Sequence, residues 1–292
     1  MWRGVVASRH SSRGEAGCGD AALQYQPNRS GESSTPINVK SCRFLFTVLG
    51  ALLAVAASAA ELTVFAAASL SDALKEIAPA YTKATGDTLR FNFGASGALA
   101  RQIKEGAPAD LIVSADELRV DQLEKAGLLL PETRRTILAN QLVVIVAAEN
   151  GAPVATVADL TKPGVRRIAI GEPATVPVGT YTKEFLGKLG LWTQVSGKSV
   201  PLDNARAVLA AVEAGNAEAG FVYRTDALIS KKVRVAVLVP LAEGPKITYP
   251  VAVVRDTKAP EAAKAFAAFL AAPEAQAVFA KFGFSPPTPR GE

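Results

Sequence analysis

Four stretches of this chain bring small and hydroxyl-bearing residues to the point where a strand hands over to a helix. They are Ala66-Ala67-Ala68-Ser69, Gly94-Ala95-Ser96-Gly97, Val176-Pro177-Val178-Gly179 and Leu202-Asp203-Asn204-Ala205. The first turn of a helix leaves backbone N–H groups without an acceptor and carries about half a positive charge. Several such termini converging on one point bind an anion without lysine or arginine. Ser69 and Ser96 each add a hydroxyl to the backbone donor. Taken singly, each serine reads more readily as an ordinary helix N-cap. Four such entries in one chain favour a shared anion site.

Other chemistries are excluded by what the chain lacks. Both cysteines (Cys18 and Cys42), the only histidine (His10) and the only methionine (Met1) precede residue 60. Without that segment there is no thiol nucleophile, no Ser-His-Asp triad, no thiolate or imidazole zinc site and no disulfide framework. The net charge of +5 is also local: residues 1–60 hold six Lys/Arg and three Asp/Glu, so 32 − 6 = 26 positive and 27 − 3 = 24 negative groups remain, about +2. No basic run stands out beyond residue 60, which gives nucleic-acid binding little electrostatic support.

The elements that must position the loops follow a βα rhythm. Strands are predicted at 61–66, 88–94, 110–115, 140–149, 166–171, 219–223, 233–239 and 247–254. Helices are predicted at 70–86, 98–106, 117–128, 180–190, 205–215 and 224–230, with two more in the Ala-rich tail. This is an α/β chain with parallel sheets covered on both faces. The strands at 140–149 and 247–254 bracket about a hundred residues of further β/α units. A first lobe of 61–139 plus 248–292, with a second of 140–247 inserted, explains this. Two mixed, mostly parallel sheets joined by crossing hinge strands then enclose a cleft, where open α/β sheets bind ligands. Ahead of the lobes, residues 1–60 read as a leader. A polar extension covers 1–37, and a signal peptide covers about 38–60, with a basic start at Lys40 and Arg43 and small residues at Ala57-Ser58-Ala59. Cleavage is expected after Ala59 or Ala60. The apolar run is shorter than the roughly 20 residues a membrane span needs.

The order of the motifs resembles a family. AELTVFAAASLSDALKEIAPAYTKATG, FGASGALARQIKEGAPADLIVSADE, VPVGTYTKEFLGKLG, GFVYRTDA and YPVAVV are similar to segments of the periplasmic molybdate-binding proteins of ABC transporters, over essentially all of 61–288. The resemblance implies the two-lobed type II periplasmic-binding-protein fold and high-affinity capture of molybdate or tungstate. It further implies a periplasmic location, delivery to a membrane permease and no enzymatic activity. On it, Ser69 of AAASL and Ser96 of GASG match two hydroxyl and backbone donors. Val178 of VPVG and Ala205 of DNARAVL match backbone N–H donors, and Tyr223 of FVYRTD matches a phenol donor. Gly97 and Ala98 depart from the family, where hydroxylated residues occur. No cofactor is implied, and molybdenum would be held only as its oxyanion, through the same residues. A monomer without nucleic-acid partners is expected.

The residues themselves leave neighbouring readings open. A fully deprotonated dianion offers only acceptors and suits an all-donor site, whereas protonated phosphate needs an acceptor such as a carboxylate. Asp203 and Asp226 lie near the loops, but capping or surface solvation accounts for both. Sulfate, thiosulfate and phosphate remain alternative ligands, and selection of the larger tetrahedron over sulfate would come from cavity size. Trp192 is expected to pack, Tyr181 to pack or to bind, and Lys183 to be solvated. An enzyme on the same fold would need a Lys- or carboxylate-based mechanism, and no carboxylate pair stands at a suggestive spacing.

Overall fold

The computed structural model describes residues 59–287, together with the isolated positions 24 and 26. The expected polar extension and the body of the expected signal peptide lie outside the described residues. No helix among the described residues is long and apolar enough to cross a membrane.

The chain opens with β1 (Glu61–Ala67), a 3₁₀ turn (Ala68–Leu70) and α1 (Ser71–Thr85). It continues through β2 (Thr88–Gly94), α2 (Ser96–Lys104), β3 (Leu111–Val113), α3 (Glu117–Lys125) and β4 (Arg135–Asn140). It then crosses into β5 (Leu142–Ala147), a 3₁₀ turn (Val157–Thr161), β6 (Ile168–Gly171), α4 (Pro177–Lys188), α5 (Trp192–Ser196) and β7 (Ser199–Leu202). α6 (Ala205–Glu213), β8 (Ala219–Tyr223), α7 (Arg224–Leu228) and β9 (Val233–Leu238) complete that half. The return passes through β10 (Ile247–Val253), α8 (Pro260–Leu270) and α9 (Pro273–Lys281). Local sequence accounts for these elements. Ala73, Leu74, Ile77 and Tyr81 line the buried face of α1, and Gly86 ends it in the left-handed conformation at φ 82°. The apolar run of β10 is buried along its whole length, as a central strand requires.

Among the described residues the strands form two five-stranded sheets, ordered β2-β1-β3-β10-β4 and β7-β6-β8-β5-β9. Neither sheet is purely parallel. β1 pairs parallel with β2 and β3, while β10 runs antiparallel between β3 and β4. In the second sheet β6 pairs parallel with β7 and β8, while β5 runs antiparallel between β8 and β9. This is the mixed, mostly parallel arrangement expected from the sequence. The crossings account for the one antiparallel strand in each sheet, because a strand entering from the other lobe arrives against the local direction. One crossing runs from β4 to β5, through Gln141. The other is the segment between β9 and β10. Gln141 ties them together, with its Nε2 donating to the Val239 carbonyl at 2.7 Å. The strand expected at 140–149 is β5, shorter at both ends, and β4, which ends at Asn140 in the other sheet, occupies residues that showed no clear pattern. After β10 the tail packs on the first lobe, where Phe266 and Phe269 lie against Tyr81 at centroid distances of 4.8 and 5.2 Å.

Candidate functional site

A cavity lies between the two lobes. Its walls include Ala67, Ala68, Ser69, Ala95, Ser96 and Ala115 from the first lobe, and Val176, Val178, Asn204, Ala205 and Tyr223 from the second. All five residues singled out in the sequence, Ser69, Ser96, Val178, Ala205 and Tyr223, line it and are buried. No Lys, Arg, Asp or Glu is among its lining residues.

Helix entry sets the backbone donors. α4 starts at Pro177, whose missing N–H is harmless in a first turn, and Val178 follows it. Gly179 lets this turn press against the end of β6, where a methyl group would overlap the Gly171 carbonyl oxygen. α6 starts at Ala205 behind Asn204, whose side chain accepts from the Ala207 N–H at 3.0 Å. This cap consumes one first-turn donor and leaves the Ala205 N–H without an intrahelical acceptor.

The serines are not N-caps. Ala95 occupies the cap position of α2, Ala67 that of the 3₁₀ turn, and neither makes a side-chain cap bond. Ser96 Oγ accepts from the Ala115 N–H at 2.9 Å, and Ser69 Oγ lies 3.1 Å from the Tyr249 hydroxyl. The Tyr223 hydroxyl is buried with no hydrogen-bond partner. Burial above all, and the neighbouring Tyr249 and Tyr181, hold its pKa well above the usual tyrosine value, so it remains a donor.

The lobes meet across the cavity. Arg119 donates to the Ala174 carbonyl at 2.9 Å and Tyr181 to the Ala115 carbonyl at 3.3 Å. From the second lobe, Arg206 pairs with Asp72 at 2.7 Å and donates to the Ser69 carbonyl at 3.3 Å. Tyr181 thus spans the lobes without lining the cavity. Trp192 is half-buried against the core, with Lys183 Nζ 5.8 Å from its ring centre. Asp203 is exposed.

Asp226 departs from the solvated position considered for it. It caps α7 by accepting from the Tyr223 N–H at 3.3 Å, yet it is fully buried. Its second oxygen lies 2.9 Å from Arg206 Nε, and neither atom is hydrogen-bonded, so the pair is held by charge rather than by an aligned bond. Burial pushes the Asp226 pKa up to about 6, with Arg206 offsetting part of the rise. Because this value lies above that of the unfolded chain, the folded protein takes up a proton that the unfolded chain does not. Stability from this group therefore grows as pH falls through about 6 and is lost as pH rises through it. Asp226→Asn is expected to flatten this dependence. Between about pH 7.5 and pH 5, thermal melts of ligand-free protein should show the wild type gaining about 1–2 kcal/mol that the variant does not.

The family model for bacterial extracellular solute-binding proteins matches residues 62–285. The molybdate-binding protein ModA of Escherichia coli (strain K12) is 39% identical over 244 residues, covering 82% of this chain and 93% of that protein. ModA of Haemophilus influenzae is 35% identical over 233 residues, covering 78% and 91%. Among solved structures, the periplasmic molybdate-binding protein of Azotobacter vinelandii superposes with a TM-score of 0.70 at 25% identity, covering 78% of this chain and all of that one. With its two mixed sheets, crossing strands and interlobe cavity, this chain belongs to the bacterial extracellular solute-binding protein family.

Proposed function

We propose that the protein captures molybdate or tungstate outside the cytoplasm and delivers it to the membrane permease of an ABC transporter. The observation that carries this reading is the interlobe cavity, lined by two serines, a tyrosine and first-turn residues of two helices, with no cationic side chain and no carboxylate among its lining residues. Ser69, Ser96, Val178, Ala205 and Tyr223 supply those donors, the metal being held only through its oxyanion. A dianion without protons presents only acceptors, so such a lining satisfies it fully. Without a carboxylate, a protonated oxyanion can donate only to a neutral oxygen, a weaker acceptor than a charged one. The identities with molybdate-binding relatives support the same ligand.

Binding here requires no covalent step, and no resident cofactor or catalytic residue is assigned. The first lobe comprises 61–139 with the tail from 248, and the second comprises 140–247. Closing one on the other buries the ion and creates the form the permease reads. The mature chain starts near Ala59 or Ala60 and acts in the periplasm as a monomer.

Parallel calorimetric titrations of the mature protein with molybdate, tungstate and sulfate test this reading. Tight binding of the first two and weak binding of sulfate are expected. Tight sulfate binding with no response to molybdate overturns it. Tyr223→Phe provides a second test. Because the phenol has no partner in the protein, its removal leaves nothing orphaned. Thermal stability of the ligand-free variant should stay within about 0.5 kcal/mol of wild type, while molybdate affinity falls by about 1–2 kcal/mol.

A further inference from the structure

Asn140, at the end of β4, sits at the start of a hydrogen-bond chain that runs to the cavity. Its orientation is fixed, because the Gln141 N–H donates to its Oδ1 at 2.8 Å. Nδ2 therefore faces the other way and donates both its hydrogens, to Thr225 Oγ1 at 2.9 Å and to the Tyr249 hydroxyl oxygen at 3.2 Å. Tyr249 is completely buried, and its own hydroxyl hydrogen has Ser69 Oγ, 3.1 Å away, as the partner the structure provides. A β-bulge between Tyr249 and Pro250 lies at this point of β10, the kind of irregularity that re-aims a side chain. Burial in the first place, and the nearby Asp226 charge, raise the Tyr249 pKa, which keeps that hydrogen in place.

The direction of the chain follows from counting hydrogens. If Ser69 donated to Tyr249, the tyrosine would receive two hydrogens and its own would have no acceptor. A buried hydroxyl in that state is penalised. If Tyr249 donates to Ser69, the Ser69 hydrogen is left over, and it is satisfied by an acceptor in the cavity. Ser96 is governed in the same way, since its Oγ already accepts from the Ala115 N–H. A guest oxygen that faces the first lobe and carries a proton would have to donate to one of these serines, the Tyr223 hydroxyl standing on the opposite wall. At Ser69 this reverses the chain and sets the Tyr249 hydrogen against the Asn140 amide.

Resting on the reading of the cavity as an oxyanion site, we propose that Tyr249, oriented by Asn140, is a specificity-determining residue that fixes the Ser69 hydroxyl as a donor and so excludes oxyanions that carry a proton. Tyr249 touches no ligand in this account and acts through Ser69. Size selection, which separates molybdate from sulfate, is a different property of the cavity. The two are separable because sulfate and molybdate both only accept, while phosphate keeps at least one proton at neutral pH.

The test is Tyr249→Phe in the mature protein, with molybdate affinity measured by calorimetry and sulfate and phosphate affinities by competition. Molybdate and sulfate should weaken together, by about fivefold or less, leaving their ratio unchanged. Phosphate should gain relative to sulfate by about ten- to a hundredfold, because the orphaned hydrogen that opposed it is gone. Asn140→Asp is the second variant and keeps the Gln141 bond. Its carboxylate accepts from Tyr249, turns that hydrogen away from Ser69, and should shift the phosphate-to-sulfate ratio in the same direction. Should Tyr249→Phe fail to fold, this second variant alone decides the matter.

A phosphate-to-sulfate ratio unchanged within about twofold in the folded variants overturns the proposal while leaving the molybdate reading intact. A sulfate-to-molybdate ratio that moves as much as the phosphate ratio also overturns it, since that marks a loosened cavity. A wild-type protein that binds none of the three ions overturns the site reading, and this proposal with it.

Discussion

Replacing Ser69 and Ser96 together by alanine is expected to weaken molybdate binding by about 10²- to 10⁴-fold, two hydrogen bonds to a charged guest being lost at about 1.5–3 kcal/mol each. Each single variant should account for roughly half of that free energy, since the two serines share no hydrogen bond. The substitutions also strand protein groups. Without Ser96 the buried Ala115 N–H loses its acceptor, and without Ser69 the Tyr249 hydrogen loses its own. The ligand-free double variant should therefore also lose about 1–3 kcal/mol of stability for each stranded group. Calorimetry and thermal melts on the same samples separate the two effects. Unchanged affinity in both single variants would remove the serines from the site.

The second large effect is expected at Gly179. An alanine methyl there would collide with the carbonyl of Gly171 and with the backbone of Glu172. Both obstacles are main chain, so relief requires that α4 move off β6, and the Val178 amide moves with it. We expect a destabilisation of about 3 kcal/mol or more, which for this chain length is a fall in Tm of roughly 6–12 °C, together with a large loss of molybdate binding. Gly187, in the same helix, is the internal control. Nothing stands within 4 Å of the position its Cβ would take. Gly187→Ala should hold or raise stability by up to about 1 kcal/mol and leave binding untouched. Equal effects at the two glycines would show that helix propensity rather than close approach governs the site.

What the sequence made legible was local. Ser69 and Ser96 stand out because small residues separate a strand pattern from a helix pattern, and that arrangement is written in consecutive letters. The loops that hold Val178 and Ala205 stand out in the same way, but which amide in each is the donor does not, and Tyr223 carries no local signal. A valine amide looks like any other, and the donor roles of these three came only through the family resemblance. β4 went unread because Arg135–Asn140 mixes exposed and buried positions too briefly to show a period, and it ran on into the apolar stretch of β5. Asp226 could be read as a cap, but not as a buried one. Its surroundings are set by Arg206, which also reaches Asp72 in the other lobe. Tyr249 lies 180 residues from Ser69 and Asn140 lies 109 from Tyr249, so no local pattern could join them. The mixed character of the sheets was legible by contrast, because the strands at 140–149 and 247–254 bracket the inserted units and so mark where the chain changes lobe.

The division of the cavity wall between two halves has a consequence for unloading. Ser69 and Ser96 sit on one side, and Val178, Ala205 and Tyr223 on the other. Once the halves part, neither set alone can replace the hydration shell of a dianion, and the guest reverts to water without any bond having been individually weakened. Dwell time is then governed by how often the jaws separate. A transporter that prises them apart gains access to its cargo without having to outcompete the donors for it.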